Sequence, residues 1–195
     1  MIVAGSIFRQ LSIYPCMEIQ QVILVNENDE PTGTMEKMEA HKKGLLHRAF
    51  SVFIFNSKGE MLLQQRALNK YHSGGLWSNA CCSHPRPGEE ISFAARRRLK
   101  EETGFDAPLE KIFDFIYKAE FDNGLTEYEF DHVFIGEYEG EIKFNKNEIM
   151  DFCYSKMKNI RHSLETHPKK YTAWFHPAFP KIEDWWSKKY KDIPG

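Results

Sequence analysis

Short apolar runs, rich in β-branched and aromatic residues and separated by polar or glycine-containing turns, dominate the hydrophobic pattern of the chain. Such runs are typical of β-strands. The pattern predicts strands at residues 19–25, 49–55, 61–65, 77–83, 112–121 and 127–138, with a shorter strand near Phe152. The turn at residues 56–59 is expected to join the second and third strands as a hairpin, and the turn at 122–124 to join the two longest strands.

The pattern predicts a helix most clearly at residues 91–103. Ile91, Ala94, Ala95 and Leu99 recur at helical spacing, and Gly104 stands where a C-terminal cap belongs. Further helices are predicted at residues 157–165 and 182–191. Because strands outnumber helices and do not alternate regularly with them, we expect an α+β fold with a mixed β-sheet core flanked by helices.

The length of 195 residues fits one domain, and we expect a loosely ordered extension at residues 1–17 and a single domain at 18–195. Hydrophobic residues make up 42% and charged residues 28%, the proportions of an ordinary soluble protein. The net charge of −2 is not gathered in blocks of one sign, which argues against a nucleic-acid partner. No apolar run approaches the ~18 residues of a membrane-spanning helix, so we expect no membrane partner either.

The four cysteines are Cys16, Cys81, Cys82 and Cys153. Adjacent residues such as Cys81 and Cys82 are poorly placed to bridge each other, and so few cysteines do not make a disulfide scaffold. We therefore expect reduced thiols and a cytoplasmic location.

The segment from Ser78 to Glu89 contains the most unusual residues of the chain. If the strand continues to His84, its period of two places Cys82 and His84 on one face, with Cys81 and Ser83 on the other. A thiol and an imidazole on one face suggest a nucleophile with its base, or two metal ligands. A buried thiol beside a structural histidine explains the same pattern equally well.

Acidic residues share one face of the strand at 127–138. Glu127 and Glu129 lie two positions apart, and Asp131 follows. If this face is buried, the carboxylates need a metal, a cation or protons; an edge strand with one solvated face is the alternative. Nitrogen and oxygen donors of this kind suit a divalent ion such as Mg²⁺, Mn²⁺ or Zn²⁺. The candidate ligands are His41, His47, His84, Glu127 and Glu129.

Charged side chains around the predicted helix point to a phosphate-containing ligand. Glu101 and Glu102 close the helix, where carboxylates oppose the helix dipole and suggest a nearby cation. We expect Glu89 to reach over from the preceding loop. Cations near a carboxylate-bound metal suit a diphosphate, although isolated basic residues are more often surface charges. The basic residues in question are Lys37, Arg66 and Lys70.

The helix and the loop before it resemble a degenerate Nudix box. Ser83 stands at the first glycine of that motif, Glu89 at its first glutamate, and residues 97–105 at the remainder. Arg98 replaces a glutamate of the motif, which weakens a hydrolytic metal site. The segments 34–41, 46–51, 66–70, 79–85 and 127–129 resemble, in this order, the type 1 isopentenyl-diphosphate isomerases, Nudix relatives that isomerise instead of hydrolysing. The resemblance covers about residues 18–178.

The resemblance implies conversion of isopentenyl diphosphate to dimethylallyl diphosphate by metal-dependent protonation and deprotonation through a tertiary carbocation. It implies catalytic roles for Cys82, Glu129, Tyr117 and Trp174, and contact with the diphosphate by Lys37, Arg66, Lys70 and Ser83. The implied ligands of a first divalent ion are His41, His47, His84, Glu127 and Glu129, and Glu102 is implied for a second, diphosphate-bound Mg²⁺. We expect a monomer or a weak dimer.

Two other functions stay open at this point. One is a Nudix hydrolase of nucleoside diphosphates, which Glu89, Glu101 and Glu102 favour and Arg98 opposes. The other is a catalytically silent domain that binds a metal or a partner. Asp131 is interpreted as lying beyond the direct metal ligands. The histidines that match no motif are interpreted as structural or exposed: His72, His132, His162, His167 and His176.

Overall fold

The structure, a computed structural model, describes residues 20–190, and the extension expected at residues 1–17 lies outside them. The strands are β1 (Gln21–Val25), β2 (Pro31–Glu36), β3 (His47–Phe55), β4 (Met61–Arg66), β5 (Trp77–Ser78), β6 (Cys81–Ser83), β7 (Glu110–Glu120), β8 (Thr126–Glu137) and β9 (Ile149–Ser155). The helices are α1 (Lys37–Lys43), α2 (Ile91–Thr103), α3 (Met157–Thr166) and α4 (Phe175–Lys189), with a 3₁₀ turn at Pro168–Lys170. None of the helices within residues 20–190 is both long and apolar enough to cross a lipid bilayer.

Strand β3 is the centre of a mixed sheet. It pairs antiparallel with β1, β4 and β6, and it runs parallel to β8 from His47 opposite Glu129 to Phe55 opposite Glu137. Every residue of β3 except Arg48 is buried, as expected for a strand covered on both faces. The mixed sheet and the flanking helices confirm the α+β fold predicted from the sequence.

Alternate residues of β3 pack into two separate hydrophobic cores. Phe53 and Phe55 pack with residues of α3 and α4 on one face of the sheet. Phe50, Val52 and Ile54 pack with residues of α2 on the other face. The period of two along a strand thus produces a sheet enclosed between α2 on one side and α3 and α4 on the other.

The predicted strand at residues 77–83 is wrong as a single element, because the structure breaks it between β5 and β6. Asn79, at the break, is fully buried and donates from its side-chain amide to the carbonyls of Val52 (3.0 Å) and Cys81 (2.9 Å). A side chain that bonds the main chain in this way takes the place of a ladder hydrogen bond. The break turns Asn79 toward the residues that form the candidate site.

Helix boundaries follow local capping signals where these exist. The predicted helix at 91–103 is observed as α2, which Glu90 caps through the amides of Ser92 and Phe93 and which ends at Gly104 with a φ of 80°. Helix α4 begins seven residues earlier than predicted, at Phe175, and continues through Pro180. The sequence analysis also missed β2 and α1.

Candidate active site

A cavity of about 310 Å³ opens between the sheet, the loop before α2 and the start of α4. Eleven of the predicted site residues line it: Lys37, Arg66, Lys70, Cys82, Ser83, His84, Glu102, Tyr117, Glu127, Glu129 and Trp174. The other two, His41 and His47, are completely buried beside it. The fold therefore brings residues from distant parts of the chain into one pocket, as the resemblance implied, while their individual roles stay predictions.

Three histidines and one glutamate form what we call the histidine cluster: His41, His47, His84 and Glu129. One donor atom from each lies within 4.8 Å of the others. Nδ1 of His41 is 2.7 Å from the carbonyl of Lys37, and Nδ1 of His47 is 2.8 Å from the carbonyl of Leu45. Because a carbonyl only accepts, each Nδ1 carries the proton and each Nε2 is left with a lone pair.

The Nε2 atoms of His41 and His47 are buried and have no hydrogen-bond partner. Buried polar atoms without a partner are costly in a protein interior. An imidazole fixed through Nδ1, with its Nε2 lone pair directed at neighbouring donors, is the usual arrangement of a metal-binding histidine. The histidine cluster therefore fits a divalent ion on its chemistry and its geometry.

Glu127 lies at the edge of the histidine cluster and not within it. Its donor atom groups with His41 and with His72, a residue interpreted from the sequence as structural or exposed. The structure buries His72 and places its Nε2 2.8 Å from Oε1 of Glu127. No sequence pattern pointed to His72, because it lies in an irregular loop between β4 and β5.

Tyr117 links the two glutamates of β8. Its hydroxyl is 2.5 Å from Oε2 of Glu129 and 3.1 Å from Oε2 of Glu127. Burial, reinforced by the charge of Glu129, raises the pKa of Glu127 well above its ordinary value. The direct partners of the two carboxylates are imidazoles and a phenol, while Arg66 adds positive charge at longer range. A cation beside the pair would therefore stabilise the two buried carboxylates.

Another part of the pocket is organised around Cys82. Its Sγ donates to Oδ1 of Asn79 at 3.0 Å, and the same oxygen accepts from the indole Nε1 of Trp174 at 3.3 Å. Oγ of Ser51 is 3.5 Å from Sγ of Cys82 and donates to Asp131 at 2.7 Å. Asn79 and Ser51 were not identified from the sequence, since a buried polar residue inside an apolar segment is as common in cores as in sites.

Only one of the two adjacent thiols lines the pocket. Cys81 is completely buried in the core beneath α2, whereas Cys82 is half-buried and faces the cavity. Burial raises the pKa of both thiols. The alternation along β6 therefore separates a core thiol from a pocket thiol, as the period of two predicts.

Positive charge gathers along the wall of the pocket. Burial and the charge of Lys70 lower the pKa of Lys37 to about 8. The guanidinium of Arg66, which is itself buried, lies 5.1 Å from the ring of Trp174. Several cations that share a cavity repel one another, and a polyanionic ligand such as a diphosphate would relieve this repulsion.

Comparisons with known proteins agree on one family. Residues 45–175 match the NUDIX domain. The chain is 50% identical over 170 residues to the isopentenyl-diphosphate Delta-isomerase of Pectobacterium atrosepticum, covering 87% of this chain and 95% of the relative. It is 47% identical to isopentenyl-diphosphate Delta-isomerase 2 of Photorhabdus laumondii, covering 84% and 96%. The chain belongs to the isopentenyl-diphosphate Delta-isomerase family of NUDIX proteins.

Solved NUDIX structures support the fold at much lower identity. DR0079 of Deinococcus radiodurans superposes with a TM-score of 0.64 at 19% identity, covering 76% of this chain and 90% of that one. The MutT protein of Methanosarcina mazei superposes with a TM-score of 0.59 at 20% identity, covering 71% and 94%. At such identities the likeness concerns the fold alone.

The NUDIX helix α2 contributes one carboxylate, Glu102, that is already paired with an arginine. We call the group around it the arginine-paired cluster: Lys70, Arg98, Glu102 and Glu148. Arg98 donates to Glu102 at 2.6 Å and to Glu148 at 3.2 Å, and Lys70 pairs with Glu148. Glu148 was not identified from the sequence, because it lies in the loop before β9. Burial raises the pKa of Glu102, which is consistent with its need for Arg98.

Glu89 is held outside this cluster. It lies before α2, as expected, and accepts from Arg97 at 2.7 and 2.8 Å. Arg98 thus lies where the NUDIX pattern has a glutamate, and it engages the carboxylate expected to bind a second ion. Any ion at Glu102 must compete with the Arg98 guanidinium.

Proposed function

We propose that the protein isomerises isopentenyl diphosphate to dimethylallyl diphosphate. The observation that carries the proposal is the presence of two proton-transfer groups, Cys82 and Glu129, on different strands of one pocket that also contains Trp174. The names of the relatives support the substrate, and the cations around the pocket suit its diphosphate. Metal dependence and the mechanism below are part of the proposal.

The reaction moves a double bond without net oxidation. One proton adds to the terminal alkene carbon, which leaves a tertiary carbocation, and another proton leaves the neighbouring methylene, so protons balance over the cycle. We propose that Lys37, Arg66 and Lys70 hold the diphosphate, so that the hydrocarbon end lies between the two proton-transfer groups. Binding energy from the unreactive diphosphate then contributes to positioning.

We assign Glu129 to one face of the substrate, with Tyr117 fixing its carboxyl group through the 2.5 Å hydrogen bond. Protonating an alkene requires an acid stronger than an ordinary carboxylic acid in water. A divalent ion held by the histidine cluster would supply positive charge that increases the acidity of a protonated Glu129. Tyr117 would keep the carboxyl oriented in both protonation states.

We assign Cys82 to the other face, where Asn79 holds its thiol. Asn79 also holds Trp174, so one amide sets the positions of both groups. The indole would stabilise the carbocation through a cation–π interaction of about 2 kcal/mol in a desolvated pocket. Either Cys82 or Glu129 can donate the first proton in this proposal, and the other group then accepts the second proton.

We also propose that the protein works as a monomer or weak dimer in the cytoplasm. Cys81, Cys82 and Cys153 are free thiols, and the mechanism requires Cys82 to stay reduced. An oxidising compartment would favour oxidation of this thiol, which would then no longer transfer a proton.

The test is an incubation with isopentenyl diphosphate and Mg²⁺ or Mn²⁺ in D₂O, followed by NMR. The proposal predicts deuterium-labelled dimethylallyl diphosphate with its diphosphate intact. Cys82→Ala should abolish turnover, whereas Cys153→Ala, which alters an exposed thiol, should not. Phosphate release without isomerisation would indicate a hydrolase instead, and no change with either ion would indicate a silent binding domain.

A further inference from the structure

His72 is a buried imidazole that neither the family resemblance nor the proposed mechanism uses. Its side chain is only 2% exposed and stacks on the ring of Phe121, with centroids 4.6 Å apart and planes inclined by 11°. Tyr71 packs edge-on against its ring at 4.3 Å. The imidazole is thus fixed by aromatic contacts at the border between the substrate pocket and the metal-binding residues.

The Nε2 atom of His72 lies close to a potential ligand and makes no hydrogen bond with it. It lies 2.8 Å from Oε1 of Glu127, yet it is a buried atom without a hydrogen-bond partner, as are the Nε2 atoms of His41 and His47. Two ligands of one ion, each about 2.1 Å from it and at right angles, are about 3 Å apart without bonding to each other. The separation of His72 and Glu127 is close to this value.

His41 connects this pair to the histidine cluster. Donor atoms of His41, His72 and Glu127 all lie within 4.8 Å of one another, and His41 also belongs to the cluster with His47, His84 and Glu129. An ion that recruits Glu127, as the resemblance implies, therefore meets Nε2 of His72 on the same side. We propose that His72 is a ligand of the divalent ion and adds a fourth imidazole to the site.

A fourth imidazole changes which ions the site prefers. Mg²⁺ favours oxygen ligands, whereas Mn²⁺, Co²⁺ and Zn²⁺ accept imidazole increasingly well. His72 should therefore strengthen the binding of transition ions much more than that of Mg²⁺. The inference rests on the metal site of the proposed function, but it can be tested by measuring metal binding without any substrate.

His132 provides a matched control. It is also buried, and its Nε2 also lies near a carboxylate, 3.0 Å from Oδ2 of Asp29. Arg48 donates to the same carboxylate at 2.7 Å, and His132 belongs to neither of the two groups within residues 20–190 that could hold a metal ion. His132→Ala therefore removes a buried histidine beside a carboxylate without touching the proposed ligands.

The experiment loads metal-depleted protein with Co²⁺ and counts the strongly shifted, exchangeable N–H resonances in the proton NMR spectrum. Each imidazole bound through Nε2 contributes one such resonance from Nδ1–H. We expect four in the wild type and in His132→Ala, and three in His72→Ala. Competition with a chromophoric chelator should show Mn²⁺ and Co²⁺ affinities at least about 10-fold lower in His72→Ala, with a smaller change for Mg²⁺.

Three resonances in the wild type would overturn the proposal, even if His72→Ala weakened binding, since His72 would then only position Glu127. Equal Co²⁺ affinities in wild type and His72→Ala would overturn it too. The count of resonances in the wild type needs no variant, so poor folding of His72→Ala does not decide the outcome. A wild-type protein that binds no ion would overturn the metal dependence of the proposed function as well. Ion binding that His72→Ala leaves unchanged would overturn this inference alone.

Discussion

Two groups of carboxylates face the same pocket, and the protein neutralises them in opposite ways. In the arginine-paired cluster, Glu102 and Glu148 receive hydrogen bonds from Arg98, and Lys70 adds a second cation. Glu127 and Glu129, on the other side, contact imidazoles and a phenol. The first group is in direct contact with permanent positive charge, whereas the direct partners of the second group are imidazoles and a phenol.

This difference distinguishes two possible roles of a metal: ions bound by the carboxylates of α2 for hydrolysis, and an ion bound by the histidine cluster for proton transfer. A helix whose carboxylates are already paired with arginine binds metal ions weakly, because the ions must compete with the arginine. It is therefore poorly suited to hydrolysis that needs several ions. A cluster of imidazoles and carboxylates without a lysine or arginine in direct contact is stabilised by a bound ion, whose charge would make a neighbouring proton-transfer group more acidic. The substitution of arginine at residue 98 therefore favours the isomerase interpretation over the hydrolase.

The largest effect is expected from Glu129→Gln. The amide keeps the shape of the side chain but can neither donate nor accept the reacting proton, so we expect the isomerisation rate to fall by about 10³-fold. Steady-state kinetics with isopentenyl diphosphate measures this change. Glu120→Gln, on the exposed end of β7, is the control and should retain the wild-type rate. A Glu129→Gln rate within a few-fold of wild type would remove Glu129 from the mechanism.

Arg98→Met, a change in the arginine-paired cluster, should lower the free energy of unfolding. This change leaves the buried carboxylate of Glu102 without its guanidinium partner, which we expect to cost about 3 kcal/mol in the free energy of unfolding by urea. The double variant Arg98→Met with Glu102→Gln should recover most of this loss, because the unpaired charge is gone. Arg96→Met breaks an exposed pair with Asp106 and should destabilise the protein much less than Arg98→Met. Equal losses for the two arginine variants would contradict the distinction drawn between the pairs.

Metal should stabilise the histidine cluster specifically. An ion at a concentration 100 times its dissociation constant should add about 2.7 kcal/mol to the free energy of unfolding, because it binds the folded chain alone. Thermal unfolding with and without Mn²⁺ measures this gain, which we expect to persist in Arg98→Met and to shrink strongly in Glu129→Gln. If Glu129→Gln gained as much stability from Mn²⁺ as the wild type, the ion would bind elsewhere.

The smallest effect concerns pH and the pair of Glu89 with Arg97. Hydrogen bonds from Arg97 lower the pKa of Glu89 below its ordinary value of 4.5. A carboxyl whose pKa is lower in the folded state stabilises the fold above its unfolded pKa and loses this contribution as the pH falls toward the folded value. We expect the free energy of unfolding to fall less steeply from about pH 5 to pH 3 in Glu89→Gln than in the wild type, by under about 1 kcal/mol. Parallel pH curves would show that the pair adds nothing.

The sequence predicted those elements whose signals are local. Helix α2 has its caps and its apolar spacing within its own residues, so both of its ends were found. The start of helix α4 was predicted too late, because a proline such as Pro180 normally interrupts a helix. In the structure, burial of Phe175, Ala178 and Phe179 keeps the turn before Pro180 helical. Tertiary packing, which a local pattern does not contain, decides such cases.

The same limit applies to the site. Residues within recognisable motifs, such as Cys82 and His84, were identified and converge on the pocket. Asn79, Glu148 and His72 were missed, because each acquires its partners through contacts with distant segments of the chain. For His72 the decisive facts are its burial and its distance from Glu127, which only the fold creates.

The central claim is that an ion in the histidine cluster supports proton transfer in this pocket. The most direct test measures isomerisation by metal-depleted protein before and after the addition of one equivalent of Mn²⁺, with the diphosphate substrate in excess. We predict negligible turnover before the addition and most of the full rate after it, with no recovery in Glu129→Gln. Full turnover by protein shown to contain no metal would contradict the claim.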